Sequence, residues 1–304
     1  MTGQMAIKWH RKIAEYIFFG NYFYGVCAVA LSAEAMLQQR FPLNGFLYFF
    51  LIFVSTILYY TYPYVRKCLL VSSNSRTSWY SRNYKFEQRS QVIITVILIF
   101  SLAAFLKSYW RSLLDMPAGQ WFFIIIFPLV AAWYYGIGFF NLRKTGWLKP
   151  FVIGFIWAGL VTVYPVLFYC IVNKISYGLN QVSALLFLKN FMFVAVLCIM
   201  FDVKDYAADY VSRLKTFVVG MGLRKTIFYI LLPLSALGLF SFVYYALTHQ
   251  FHLVKLLLNT VPFVLLIAVV FSLRKRRPLI YYLVVVDGLM LVKALCGTIA
   301  MLYF

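Results

Sequence analysis

Residues 181–209 read QVSALLFLKNFMFVAVLCIMFDVKDYAAD. As far as Phe201 the stretch is overwhelmingly apolar, and it is as long as the roughly 20 residues a helix needs to cross about 30 Å of hydrocarbon. It then gives way to three carboxylates, Asp202, Asp205 and Asp209, in a chain with only 8 acidic residues. An apolar helix ending in a patch of negative charge is the pattern from which both fold and function are read.

Stretches of the same kind recur along the 304 residues, near 13–37, 44–65, 91–113, 120–140, 150–172, 181–201, 226–247, 252–273 and 279–303. None alternates apolar and polar residues as a barrel strand does, and each exceeds the roughly ten residues of such a strand. The composition agrees: 64% of residues are hydrophobic and 12% charged, against about 25% charged in soluble domains. The expected fold is therefore all-α, a polytopic membrane protein with about nine transmembrane helices in one bundle. No internal repeat, low-complexity tract or flexible linker interrupts it, so residues 1–304 are expected to form one transmembrane domain.

The formal charge is +20, but the bases sit in short loops between spans rather than on a soluble surface, which excludes a nucleic-acid partner. Most of the 28 Lys and Arg fall at the N-terminus and in every second loop. The positive-inside rule puts those loops and the N-terminus in the cytoplasm, and nine spans put Phe304 outside. The first span follows KWHRK and contains AVALSA. It is read as a retained helix rather than a signal peptide, because the loop charges then alternate correctly. The 5 cysteines are scattered with no pairing pattern and read as small apolar residues.

Spacings of three and four place Asp202, Asp205 and Asp209 within about 60° of one another on a helix. Like charges so placed destabilise the helix by a few tenths of a kcal/mol per pair. A divalent cation offsets that cost, and Mg²⁺ favours one or two carboxylates completed by water and phosphate oxygens. A phosphate-bearing lipid held through a metal suits such a cluster among basic loops. A hydrated face with an Asp209–Arg213 ion pair at i,i+4 is the competing reading.

The order carried by Asp202, Asp205, Asp209, Thr216 and Gly222 resembles the second aspartate motif of the UbiA-type intramembrane prenyltransferases. The stretch YYGIGFFNLRKTGWLKPFVIGFIWAG, residues 134–159, is similar to that family's segment between its fourth and fifth helices. The resemblance implies a helical bundle in which Mg²⁺ bridges aspartates to a prenyl diphosphate, whose ionisation yields an allylic cation for a lipophilic or aromatic acceptor. It implies metal ligation and catalysis by Asp202, Asp205 and Asp209. Arg143, Lys144, Lys149 and Lys215 are then expected on diphosphate oxygens, and Tyr135 beside the cation. Membrane lipid is the surrounding partner.

The chain departs from the family in two places. The loop after the second span, TYPYVRKCLLVSSNSRTSWYSRNYKFEQRS, contains no Asp where a first aspartate motif is expected, and its one acid is Glu87. Its bases, Arg66, Lys67, Arg76, Arg82, Lys85 and Arg89, are candidates to replace the charge of one metal ion. Within the second motif, Ala208 and Arg213 occupy positions where glycine is usual, which restricts the turn. The alternative reading is a lipid-binding or transport protein built on the same bundle without prenyl transfer.

Other polar residues read as structural. Asp287, inside the last span, is expected to be paired, with Lys189 at comparable depth. His249 and His252 lack a third ligand for a metal and read as surface residues.

Overall fold

The computed structural model describes residues 12–67, 75–137, 141–176, 178 and 180–304, and the side chains of all of these but 66 and 67. The described residues are helical and contain no strand. In chain order the helices are α1 (Lys12–Phe19) and α2 (Tyr22–Gln38), then α3 (Phe46–Lys67), α4 (Ser75–Arg82), α5 (Tyr84–Leu114) and α6 (Ala118–Tyr134). After a short turn come α7 (Lys149–Asn173), α8 (Gln181–Val211) and α9 (Phe217–Met221). The last three are α10 (Leu223–Thr248), α11 (Leu253–Ser272) and α12 (Leu279–Tyr303).

A helix lies at each of the nine apolar stretches. Seven described helices, α3, α5, α7, α8, α10, α11 and α12, are long and apolar enough to cross a membrane, and α1 with α2 makes an eighth if that pair, bent by 59°, is one span. The remaining stretch, the fourth in chain order, forms α6, an apolar helix of 17 residues. Both α5 and α8 run beyond the expected stretches, α5 beginning at Tyr84 and α8 ending at Val211. Their extensions carry Lys, Glu, Gln and Ala, good helix formers that do not need hydrocarbon around them.

The described chain divides into two compact units, one from the described residues within 12–29 and 44–114, the other from those within 30–43 and 115–304. In the first, α1 stops at Gly20–Asn21, where Asn21 takes a left-handed φ of 65°. A helix end leaves its last carbonyls without intrahelical partners, and here Arg76 supplies them. Its guanidinium donates to the Phe19 carbonyl at 3.0 Å and the Phe18 carbonyl at 3.4 Å, and also to Asn21 Oδ1. Tyr80 Oη donates to the same Phe19 oxygen at 2.8 Å and accepts from Asn21 Nδ2 at 3.0 Å. The Tyr80 ring stacks on Tyr64, over which Arg76 also lies, 4.6 Å from the ring centre. Burial pushes the Tyr80 phenol upward against the opposing Arg76 charge, so it stays a proton donor. Arg76 thus closes a helix break, which corrects its expected role as a replacement for a metal. Arg82, Lys85 and Arg89 are exposed, and the side chains of Arg66 and Lys67 lie outside the described residues.

In the second unit α7 and α10 pack on α8, and α11 packs on α12. Deep among them Glu34 is buried with two lysines. Lys293 Nζ lies 2.6 Å from Glu34 Oε2 and Lys189 Nζ 3.5 Å from Oε1. Gln38 completes the group, donating to Glu34 at 2.8 Å and to Asn259 at 3.0 Å and accepting from Lys189 at 2.7 Å. Lys189 therefore turns to Glu34 and Gln38 rather than to Asp287 as expected. A Cβ at Gly297 would stand 2.5 Å from Glu34 Oε1, so glycine makes room for the carboxylate.

Candidate functional site

All three aspartates lie on the extension of α8, but they face different surroundings. At about 100° per residue, Asp202 and Asp209 differ by only about 20° around the axis, whereas Asp205 stands about 60° to one side. Burial follows that geometry: Asp202 is 0% exposed and Asp209 9%, while the Asp205 side chain is 39% exposed and paired with Lys204 at 2.9 Å.

Asp202 is answered by Lys149, the first residue of α7, whose Nζ lies 2.7 Å from Oδ1. Pro150 follows at the position where a helix tolerates the missing N–H. The other oxygen, Asp202 Oδ2, is buried without a hydrogen-bond partner, as is Asp209 Oδ2. Lys149 lies within electrostatic reach of Asp209 and of the buried Tyr134 hydroxyl, and Arg143 within reach of Tyr134.

Asp209 occupies the last turn of α8. There Arg213 N–H bonds the Tyr210 carbonyl at 3.1 Å and Leu214 N–H the Asp209 carbonyl at 2.9 Å, the pair of bonds that closes a helix through a left-handed residue. That residue is Arg213, with φ of 56°, so the turn made elsewhere by glycine forms with a side chain in place. Having left the helix, Arg213 makes no ion pair with Asp209, and the competing i,i+4 reading is not realised. A carboxylate in a last turn also faces the negative end of the helix dipole.

The chain continues through Thr216, whose Oγ1 accepts from Val219 N–H at 3.4 Å and caps α9. Gly146 joins this segment to the other motif stretch. A Cβ there would stand 2.5 Å from the Lys215 carbonyl carbon and 2.7 Å from Thr216 N. Loops 141–149 and 212–216 are therefore in backbone contact, and Arg143, Lys144 and Lys215 are all exposed on them. Tyr135 is half-buried at the end of α6, edge-on to Tyr134 with ring centres 5.2 Å apart. Tyr134 lies within electrostatic reach of Lys149 and Arg143. Residues 138–140 of that motif stretch lie outside the described residues.

Among the described residues, no group of three or more His, Cys, Asp and Glu is close enough to hold one metal ion between them. The donor set nevertheless fits Mg²⁺, which needs one or two carboxylates, and two buried carboxylate oxygens are without partners. Asp202 and Asp209 stand seven residues, about 10 Å, apart along the axis. Each would hold its own ion, or reach a shared one through water and phosphate oxygens.

Neither a protein-family profile nor a curated protein sequence matches the chain. A solved structure of digeranylgeranylglyceryl phosphate synthase is similar in fold, with a TM-score of 0.59 and 15% identity, over 97% of this chain and 100% of that one. From its first described helix to its last, the chain is thus folded like a synthase that works in membranes.

Proposed function

We propose that the protein is an intramembrane prenyltransferase, moving a prenyl group from a prenyl diphosphate to a lipophilic or aromatic acceptor. The observation that carries this reading is Asp209: a buried carboxylate with an unpartnered oxygen, at the unfavourable end of a helix dipole, one bonded turn away from Lys215. A bound cation would offset the cost of that arrangement, and basic loops around it suit an anionic ligand. The fold likeness to a synthase supports transfer chemistry over transport or simple lipid binding.

Mg²⁺, when bound, supplies positive charge to the leaving diphosphate oxygens. The chain's own residues hold and place the substrate. Lys149 fixes the rotamer of Asp202 through its 2.7 Å contact and leaves one carboxylate oxygen for ligation. Arg143, Lys144 and Lys215, on two touching loops, neutralise diphosphate oxygens and so stabilise the charge that develops as the allylic C–O bond breaks. The acceptor then bonds to the allylic carbon and gives up a proton. Tyr134 and Tyr135 present ring faces suited to a cation. The N-terminus and these loops are assigned to the cytoplasm and the C-terminus to the outside.

The test is binding of radiolabelled geranyl, farnesyl and geranylgeranyl diphosphates to purified protein, with Mg²⁺ or with chelator, followed by product analysis against membrane extracts. Binding should fall by about tenfold or more with chelator and in Asp209→Asn, the loss expected when a charge-assisted ligand contact is removed. Equal binding under all conditions would refute the proposal.

A further inference from the structure

A cavity of about 340 Å³ is lined by Leu223, Arg224, Ile227, Phe228 and Arg274. It shares no residue with the aspartate site and lies where α10 begins and α11 has just ended. Its wall is divided in chemistry: Leu223, Ile227 and Phe228 are apolar, and Arg224 and Arg274 bring two guanidinium groups. Arg274 lies 4.8 Å from the ring centre of Phe271 and 5.7 Å from that of Phe228. Aromatic faces hold such a cation in position without neutralising it.

Among the described residues neither arginine has a carboxylate partner; the ion pairs engage Asp202, Asp205 and Glu34 instead. Lys225, Lys275, Arg276 and Arg277, close in sequence to the two lining arginines, are exposed. Beyond its apolar wall the surface stays apolar, with Tyr229 71% and Phe240 68% exposed along α10. Two guanidiniums beside apolar residues, one of them held by ring faces, suit a phosphate carried on hydrocarbon chains.

We propose that this cavity is a headgroup site for an anionic phospholipid, its phosphate held by Arg224 and Arg274 and its acyl chains lying along α10. Zwitterionic lipids also carry a phosphate, but their ammonium group offsets its charge and would stand against the guanidiniums of Arg224 and Arg274 that line the cavity. The site therefore selects lipids of net negative charge, as basic pockets between membrane helices do. It stands independently of the prenyl-transfer reading.

The test is native mass spectrometry of the purified protein with phosphatidylglycerol or phosphatidylcholine, with and without millimolar inorganic phosphate. Phosphatidylglycerol should be retained about tenfold over phosphatidylcholine, as two basic groups near a surface provide. The Arg224→Gln/Arg274→Gln pair should remove that preference, whereas Lys275→Gln/Arg276→Gln, an equal loss of charge outside the cavity, should change it by less than about twofold. Equal losses in both pairs would show diffuse surface attraction and overturn the proposal. Displacement by inorganic phosphate with no preference between lipids would assign the site to the free anion and overturn the lipid. Should the double variant fail to fold, Arg224→Gln alone, at an exposed position, makes the same comparison.

Discussion

Asp202 and Asp209 stand two turns apart on one face of α8, yet only Asp202 has a base in contact. The difference separates stability from function. Lys149→Gln strands the buried Asp202 charge and should lower stability by about 3–5 kcal/mol. Asp209→Asn removes an unpartnered charge at the negative end of a helix, so it should leave stability unchanged or raise it by about 1 kcal/mol while abolishing Mg²⁺-dependent ligand binding. Denaturation of the purified protein in detergent, set beside the binding assay, reads both. The shared face of Asp202 and Asp209 was legible because a spacing of seven residues fixes it whatever surrounds the helix; the turn of Asp205 to Lys204 was not. Nor was the choice of Lys149 among four candidate bases, since it depends on α7 starting beside α8. Glu34, absent from the expected site, carries a signal in the sequence all the same: an acid inside an apolar span is paired or functional by default.

Helix ends and irregularities follow rules that apolarity alone does not carry. Hydropathy locates hydrocarbon, so it stops short of the polar extensions of α5 and α8, and the second of these carries the aspartates. Prolines mark another feature. The π-turns Gly159–Val163 and Ile227–Leu231 each end two residues before a proline, Pro165 and Pro233. A proline lacks the N–H of the regular ladder and crowds the carbonyl four residues back, and one extra residue in the preceding turn relieves that crowding. A third π-turn, Tyr282–Val286, has no proline after it, and nothing in the structure explains it. The break between α1 and α2 offers the sharpest test at this scale. Arg76→Ala leaves the Phe18 and Phe19 carbonyls without their charged donor, at about 1.5–3 kcal/mol for each such bond. Hydrogen exchange in residues 12–22 should quicken by about a hundredfold, with Arg76→Lys restoring part of the protection; unchanged exchange would mean that the guanidinium is not what closes the break.

Across the whole molecule, the apolar stretches and the alternation of basic loops make a polytopic helical fold legible from the order of residues alone. The number of crossings is less so, because a bent pair and a helix of 17 residues leave the boundary between spanning and not spanning to geometry. The alternation makes a prediction of its own. With the native cysteines replaced, Arg276→Cys should react with an impermeant maleimide only in inside-out vesicles, and His249→Cys only in intact cells; the reverse pattern would invert the assigned orientation. The closure at Gly20–Asn21 bears on how the protein is made. A chain emerging from the ribosome presents that break some fifty residues before Arg76 is synthesised. In the interval the bare carbonyls need water, since hydrocarbon offers them no partner. The break is therefore closed only once the stretch bearing the arginine has been made.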